Sequence, residues 1–351
     1  MEPVPEDQEV SKNVTQPNPF FAIAEAVGVY FGRLPASLQK NVLKACDHLF
    51  KVPNAISDGK AEELRAVYAA RAKITQALGD KLAQSVEVDS ALANMAIEIH
   101  AKKILRHHRN SIGVLKFAAD ELNSRYSVRG RIEPTLSLAE EAAMDEISED
   151  WLNSFESEAV NMSSEQMQLL FGKMLAGEIA KPNSYSVRTV KLMGQMDSDV
   201  ARLFQRFCSM CITIKAGVDI VDSRALSFGH HGTFGLHKFG LTFLDVGVLA
   251  EYGLITEPNS SEIPYALAIR NGKLDSFSAL NYCGKRYFLE PIPPKTPQNF
   301  EQYVERGFSL SRVGRELLSI VDITQNIAYT NALVERFYDA GLHFLEIPNR
   351  T

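Results

Sequence analysis

Apolar residues recur through most of the first two hundred positions at intervals of three and four, the spacing of one helical face. The stripe is clearest at Met167, Leu170, Phe171, Met174 and Leu175. It predicts a helix that stops near Ala180, because Pro182 forces the residue before it out of the helical region. Ser163 with Gln166 three residues later reads as that helix's capping box. Glu178 takes the next place on the stripe, where a core residue belongs. Asn183, Ser184 and Ser186 read as a turn and a new N-cap, and Val187, Val190 and Met193 begin a second stripe. The prediction is a helical hairpin with a carboxylate inside it. Arg188, across the turn, is the expected partner of Glu178, since an unpaired buried charge is costly.

The same period places helices over 19–34, 36–52, 60–86, 90–125 (one helix or a kinked pair), 137–160 and 197–211. In the first of these Phe20, Ile23, Val27, Tyr30, Phe31 and Leu34 share a face. At 1.5 Å per residue, residues 20–34 span roughly 22 Å, short of the ~30 Å hydrocarbon core of a bilayer. That helix is expected to dock on the protein's own bundle; the alternative is a bilayer surface. Toward the C-terminus the period changes. Leu241–Tyr252 reads as a short helix closed by Gly253, with a strand starting at Leu254–Ile255. Residues 265–270 alternate ahead of the hairpin signal Asn271-Gly272, and 285–290 supply another strand. Helices at 311–322 and 326–340 and a terminal strand over Leu342–Ile347 complete the chain.

The predicted fold is therefore α+β and mostly α. A disordered tail over 1–18 precedes a helical domain, 19–211, and a smaller α+β domain, 212–351, of winged-helix-like layout. DNA binding by that module is not expected, because the 241–252 helix carries no Lys or Arg.

Several of these stretches carry a resemblance. Trp151-x-x-x-Phe155, the Ser163-x-Glu165-x-Met167-Gln168 start, Leu175-Ala176-Gly177-Glu178, Pro182 and Ser186-x-Arg188-Thr189 resemble the signature of an uncharacterised bacterial family defined as a domain of unknown function. Arg106-His-His-Arg-Asn110 and Leu310-x-x-x-Gly314-Arg-Glu-Leu317 fit more loosely, so the resemblance touches about three-quarters of the chain. Phe171 stands where the family pattern leads one to expect a second Trp. The family implies no activity. Its layout is loosely similar to that of abortive-infection proteins of phage defence, an analogy of architecture alone.

Composition narrows the classes further. With 351 residues, 45% of them apolar, the chain can bury two ordinary cores. A net charge of −6 argues against broad nucleic-acid binding, and four scattered cysteines do not make a disulfide framework. The acidic N-terminus lacks the start of a secretory signal, so a cytoplasmic location is expected. Charge is also segregated. Residues 60–131 hold thirteen Lys or Arg against eight Asp or Glu, whereas 132–178 hold only Lys173 against eleven acidic residues. Lys102, Arg106, Arg109 and Lys116 fall on nearly one helical face, a candidate anion contact, although no aromatic residue is interleaved for stacking on bases.

Two clusters bear on chemistry. Cys208 and Cys211, with His230, His231 and His237 downstream, lack the ligand spacing of structural zinc sites, and no metal or other cofactor is expected. Gly229-His-His-Gly-Thr-Phe-Gly235 makes His230 and His231 the candidate catalytic residues, with two imidazoles in a loop that lets backbone approach a ligand. No nucleophile with an orienting carboxylate accompanies them. The reading that follows is a non-enzymatic interaction or effector protein, with a protein partner or self-association. Its alternatives are a membrane-perturbing effector using residues 20–34 and an enzyme acting on nucleotide or nucleic acid through the 229–237 loop.

Overall fold

The computed structural model describes residues 34–50, 73, 76–77, 80, 90–129, 146–216, 219–228, 234–256, 262–265, 268–269, 279–294 and 303–348. The helix expected over 20–34, the Asn271-Gly272 turn, the 1–18 tail and His230 and His231 lie outside these, save Leu34. The chain divides into two compact units, Met1–Pro182 and Asn183–Thr351.

The first unit is helical. Helix α1 (Ala36–Phe50) buries Leu38, Val42, Ala45, Cys46 and Leu49, one stripe at helical spacing. Helix α2 (Ser90–Arg129) is one continuous helix of 40 residues. Among its described side chains the fully buried ones lie in the second half and include Val114, Leu115, Ala118, Ala119 and Leu122. Helix α3 (Glu149–Ala159) starts with two acidic residues in its first turn, where they complement the helix dipole, and buries Trp151, Leu152, Phe155 and Ala159. Helix α4 (Glu165–Ala180) is the centre of the unit. From Met174 to Ile179 every residue is buried, so one side of the helix alone does not face the core. Its cap is Ser164, whose hydroxyl accepts from Met167 N, and not Ser163 as the capping-box spacing suggested. Lys181 ends it with extended backbone, as Pro182 requires.

The second unit opens with α5 (Val187–Gln195) and α6 (Ser198–Cys208), capped by Ser186 and Asp197. The hairpin expected over 163–193 is thus shared between the units. Strands β1 (Cys211–Ala216) and β2 (Asp219–Leu226) follow, then a 3-10 turn, Gly235–Phe239, and α7 (Phe243–Glu251), which has a true capping box at Thr242 and Asp245 and closes at Gly253 with φ +68. Strands β3 (Glu262–Pro264), β4 (Leu280–Tyr282), β5 (Lys285–Pro291) and β6 (Val304–Ser309), helices α8 (Arg312–Leu318) and α9 (Ile327–Asp339) and strand β7 (Leu342–Glu346) complete it.

Together these make a mixed α+β protein, with nine α-helices and one seven-stranded antiparallel sheet among the described residues. The strand order is β3-β6-β2-β1-β4-β5-β7. A winged-helix domain is not shown: β3, the strand after α7, joins β6 in the large sheet and forms no short wing of its own. The strand expected to begin at Leu254–Ile255 is a single bridge from Ile255 to Leu310, and of the described residues in 265–270 one, Ile269, makes a bridge, to Leu289. Helix α9 closes one face of the sheet through the stripe Tyr329, Leu333 and Phe337. The Tyr329 hydroxyl both accepts from Leu226 N and donates to Leu226 O, at 2.6 and 3.3 Å.

Candidate functional site

In the first unit the signature residues build a helix junction. Trp151 and Phe155 stack with centroids 4.9 Å apart, and Phe155 meets Phe171 at 5.5 Å. Between α3 and α4 the chain turns over Asn110 of α2, whose amide donates to Val160 O at 2.8 Å and to Ser163 Oγ at 3.4 Å. Gln168 donates to Met162 O at 2.9 Å and to Asn110 Oδ1 at 3.5 Å. Asn110, itself buried, and Gln168 thereby pair with the polar groups of a half-exposed turn and tie it to α2. Met167, Leu175, Ala176 and Gly177 are buried core, and Glu165 sits in the first turn of α4, favourable to the helix dipole.

In the second unit Ser186 and Thr189 meet Glu316 of α8. Glu316 Oε2 accepts from Ser186 N at 2.8 Å, Ser186 Oγ at 3.0 Å and Thr189 Oγ1 at 2.5 Å. Its other oxygen takes Arg312 Nε at 2.9 Å. This is a second cap on α5: a carboxylate from another helix satisfies the donors that a helix start leaves over. Gly314 lets α8 come close, because a β-carbon there would fall 2.1 Å from Leu254 O. The two looser signature stretches, around Asn110 and around Glu316, thus partner the two stronger ones. Glu316→Gln removes the charge from three hydrogen bonds at once and is expected to cost about 2 kcal/mol, read from the midpoint of urea unfolding of the whole chain.

A third cluster lies on the sheet beneath α9. Arg224 donates to Asp222 through Nε at 2.5 Å and Nη2 at 3.2 Å, and through Nη1 to Glu305 O at 3.3 Å. Ser309 Oγ donates to Asp222 Oδ1 at 3.2 Å. Arg336 of α9 grips Glu305 with Nε and Nη2 at 2.9 and 3.3 Å, and Tyr303 donates its hydroxyl to the same carboxylate. Asp222, Arg224 and Glu305 are all buried. Beside them Tyr265 is wholly buried, its hydroxyl without a hydrogen-bond partner among the described residues. Burial, with the Glu305 carboxylate adding to it, pushes the Tyr265 hydroxyl well above its ordinary range, and the same two causes raise Tyr303. The Arg and carboxylate charges balance pairwise, which is the arrangement of a structural ion-pair network.

Each remaining candidate has its own surroundings. Glu178 is buried at 1% exposure in the first unit; Arg188 belongs to the second, exposed, its guanidinium beside Gly253. Lys102, Arg106, Arg109 and Lys116 are all exposed on α2, and Lys102 pairs with Glu98 at 2.6 Å. Cys208 and Cys211 are buried, and burial raises both thiols well above their usual range, which suppresses thiolate chemistry. His237 Nδ1 lies 2.6 Å from Phe234 O. Among the described residues no group of His, Cys, Asp and Glu is arranged to hold a metal ion.

A family model described as a protein of unknown function, DUF2806, matches residues 132–334, more than half of the chain. The chain belongs to the DUF2806 family. The matched span contains the 148–195 signature and the 310–317 stretch, whereas Arg106–Asn110 falls outside it. No curated protein and no solved structure matches the chain. Of the residues that organise the DUF2806 region, sequence reading found the motif positions and missed their partners. Glu316 stood in the looser 310–317 stretch with no partner assigned, and Asp222, Arg224, Glu305 and Arg336 gave no signal, because the contacts that bury them reach across distant parts of the chain.

Proposed function

We propose that this DUF2806 protein is a non-enzymatic interaction protein, acting by binding another protein. One observation supports the reading above others. In the N-terminal half of α2 three large apolar side chains are exposed, Met95, Ile99 and Leu105, at 58, 62 and 59%. At 100° per residue Met95, Ile99, Lys102 and Arg106 share one face. Several large apolar side chains exposed along one helix and flanked by cations fit a docking surface. The engagement of the signature side chains in caps and packing supports the same reading. A cytoplasmic setting and a part in phage defence belong to the proposal too, the first resting on composition and the second on similarity of layout.

The test places a photo-crosslinker at position 99 of the full chain in cells. A discrete adduct that saturates, and is lost with Met95→Glu and Leu105→Glu, is the expected result. Turnover in a nuclease and nucleotidase panel that disappears with His230→Ala and His231→Ala overturns the reading in favour of an enzyme. The same face of α2 also favours a second reading, contact with an anionic membrane surface. Co-sedimentation with phosphatidylserine vesicles, abolished by charge reversal at Lys102, Arg106 and Arg109, is the outcome that selects it. No helix among the described residues is long and apolar enough to cross a membrane.

A further inference from the structure

Strand β7 ends the sheet, and no described strand pairs with its outer edge. On its inner side Gly341 O accepts from Ile292 N, and Ile347 N donates to Arg286 O. By the alternation of an antiparallel ladder, His343 and Leu345 also turn their main-chain groups toward β5. Leu342, Phe344 and Glu346 therefore present N–H and C=O groups outward. Edges of this kind are normally blunted by a bulge, a proline or a cluster of lysines, and β7, Leu-His-Phe-Leu-Glu, has none of these.

Alongside that edge runs a groove of about 530 Å³ between β7 and α9. Its helix wall is made of Asn331, Val334, Glu335 and Tyr338, and its floor includes Phe344. Val334 and Tyr338 are 46 and 48% exposed, large apolar surfaces beside unpaired backbone. The geometry points to a binding site for an extended, mainly apolar peptide segment carrying a lysine or arginine, added to the sheet as an eighth strand along β7. Main-chain hydrogen bonds to Leu342, Phe344 and Glu346 hold the segment, and alternate side chains fall against Val334 and Tyr338.

Charge selects this occupant over a second copy of the chain. Glu335 lies four residues before the end of α9, about 6 Å along the helix, and Phe344 two residues into β7, about 7 Å along the strand. The two are level. Two copies joined edge to edge by a two-fold axis through Phe344 would set Glu335 level with its own copy, like charge facing like. A peptide with a cation at that height meets Glu335 with opposite charge instead. The inference names a partner chemistry for the interaction reading. It concerns a surface of the second unit, so its failure leaves the α2 crosslinking result untouched.

The experiment is selection of a displayed library of random decapeptides on the full-length protein, counter-selected on the Val334→Glu, Tyr338→Lys variant. Both substituted residues are exposed, and a melting curve confirms that the variant folds. Enrichment of peptides with alternating apolar residues and a Lys or Arg is expected. Synthetic copies, followed by fluorescence anisotropy, should weaken by about tenfold or more when alternate backbone nitrogens are methylated, which removes strand hydrogen bonds without altering the protein. Glu335→Lys should reverse the preference from basic to acidic peptides. The inference is overturned if no peptide discriminates protein from variant, if N-methylation changes nothing, or if light scattering shows a dimer that the variant dissociates.

Discussion

Asp222→Ala is expected to lower the stability of the protein by about 3–5 kcal/mol, the usual consequence of removing one side of a buried ion pair. Arg224 is 3% exposed and donates two hydrogen bonds from its side chain to that carboxylate. Without Asp222 a guanidinium that cannot lose its proton is left in the sheet interior. Ser309 loses its acceptor in the same step. A paired replacement, Asp222→Leu with Arg224→Met, should recover most of the loss, because well-packed apolar residues commonly substitute for a buried pair at little cost. Urea unfolding of the two variants decides the matter. A double variant no better than the single one would mean that the network does more than balance charge, and would make it the first place to look for a ligand.

Gly172→Val is the second large effect, expected at about 3 kcal/mol, near the upper end of what overpacking a core costs. The helices α2 and α4 cross at this residue. A β-carbon there would lie 2.5 Å from Phe117 Cβ and 2.9 Å from both Val114 O and Ala118 N. Backbone atoms cannot rotate away as a side chain can, so the crossing itself has to open. Gly247 is the internal comparison. It too lies within a helix, α7, but nothing stands within 4 Å of a β-carbon placed on it. Gly247→Ala should therefore gain about 0.5–1 kcal/mol from helix propensity alone. Thermal melts of both variants separate crowding from propensity. Equal effects of one sign would show that the α2–α4 approach is looser than the structure has it.

Much of the helical architecture was readable from one dimension. The stripe at Leu38, Val42, Ala45 and Leu49 is the buried face of α1, and Pro182 stops α4 where its steric effect on the preceding residue says it must. Even so, the cap of α4 is Ser164 and not Ser163, because Ser163 is occupied as an acceptor for Asn110. Two adjacent serines cannot be told apart without knowing what lies across from each.

The strands were legible in proportion to how local their signals are. The segment over 285–290 and the terminal segment near 342–347 show recognisable strand patterns and form β5 and β7. Strands β1 and β2, at the centre of the sheet, were missed. Asp222, Ser223 and Arg224 interrupt any run of apolar residues and read as solvent-facing positions. They are buried because Thr213, Ser309 and Glu305 supply hydrogen-bond partners, the last through its backbone. Burial of polar residues is conditional on such partners.

What the sequence by itself determined about this protein is the course of several helices, those near 36–50, 165–180, 187–195 and 198–208, since a 3.6-residue period and the turn chemistry of Pro, Ser and Gly act over a few neighbouring residues. The helix expected over 137–160 begins only at Glu149, after non-helical 146–148, and those expected over 19–34 and 60–86 lie largely outside the described residues. Which motif residues matter to each other was decided only by the tertiary structure. Glu316 reaches Ser186 from 130 positions away, Asn110 reaches Val160 from 50, and the open edge of β7 exists only because the sheet stops there. Hydrogen bonds and ion pairs depend on distances of about 3 Å, and only the folded chain sets those.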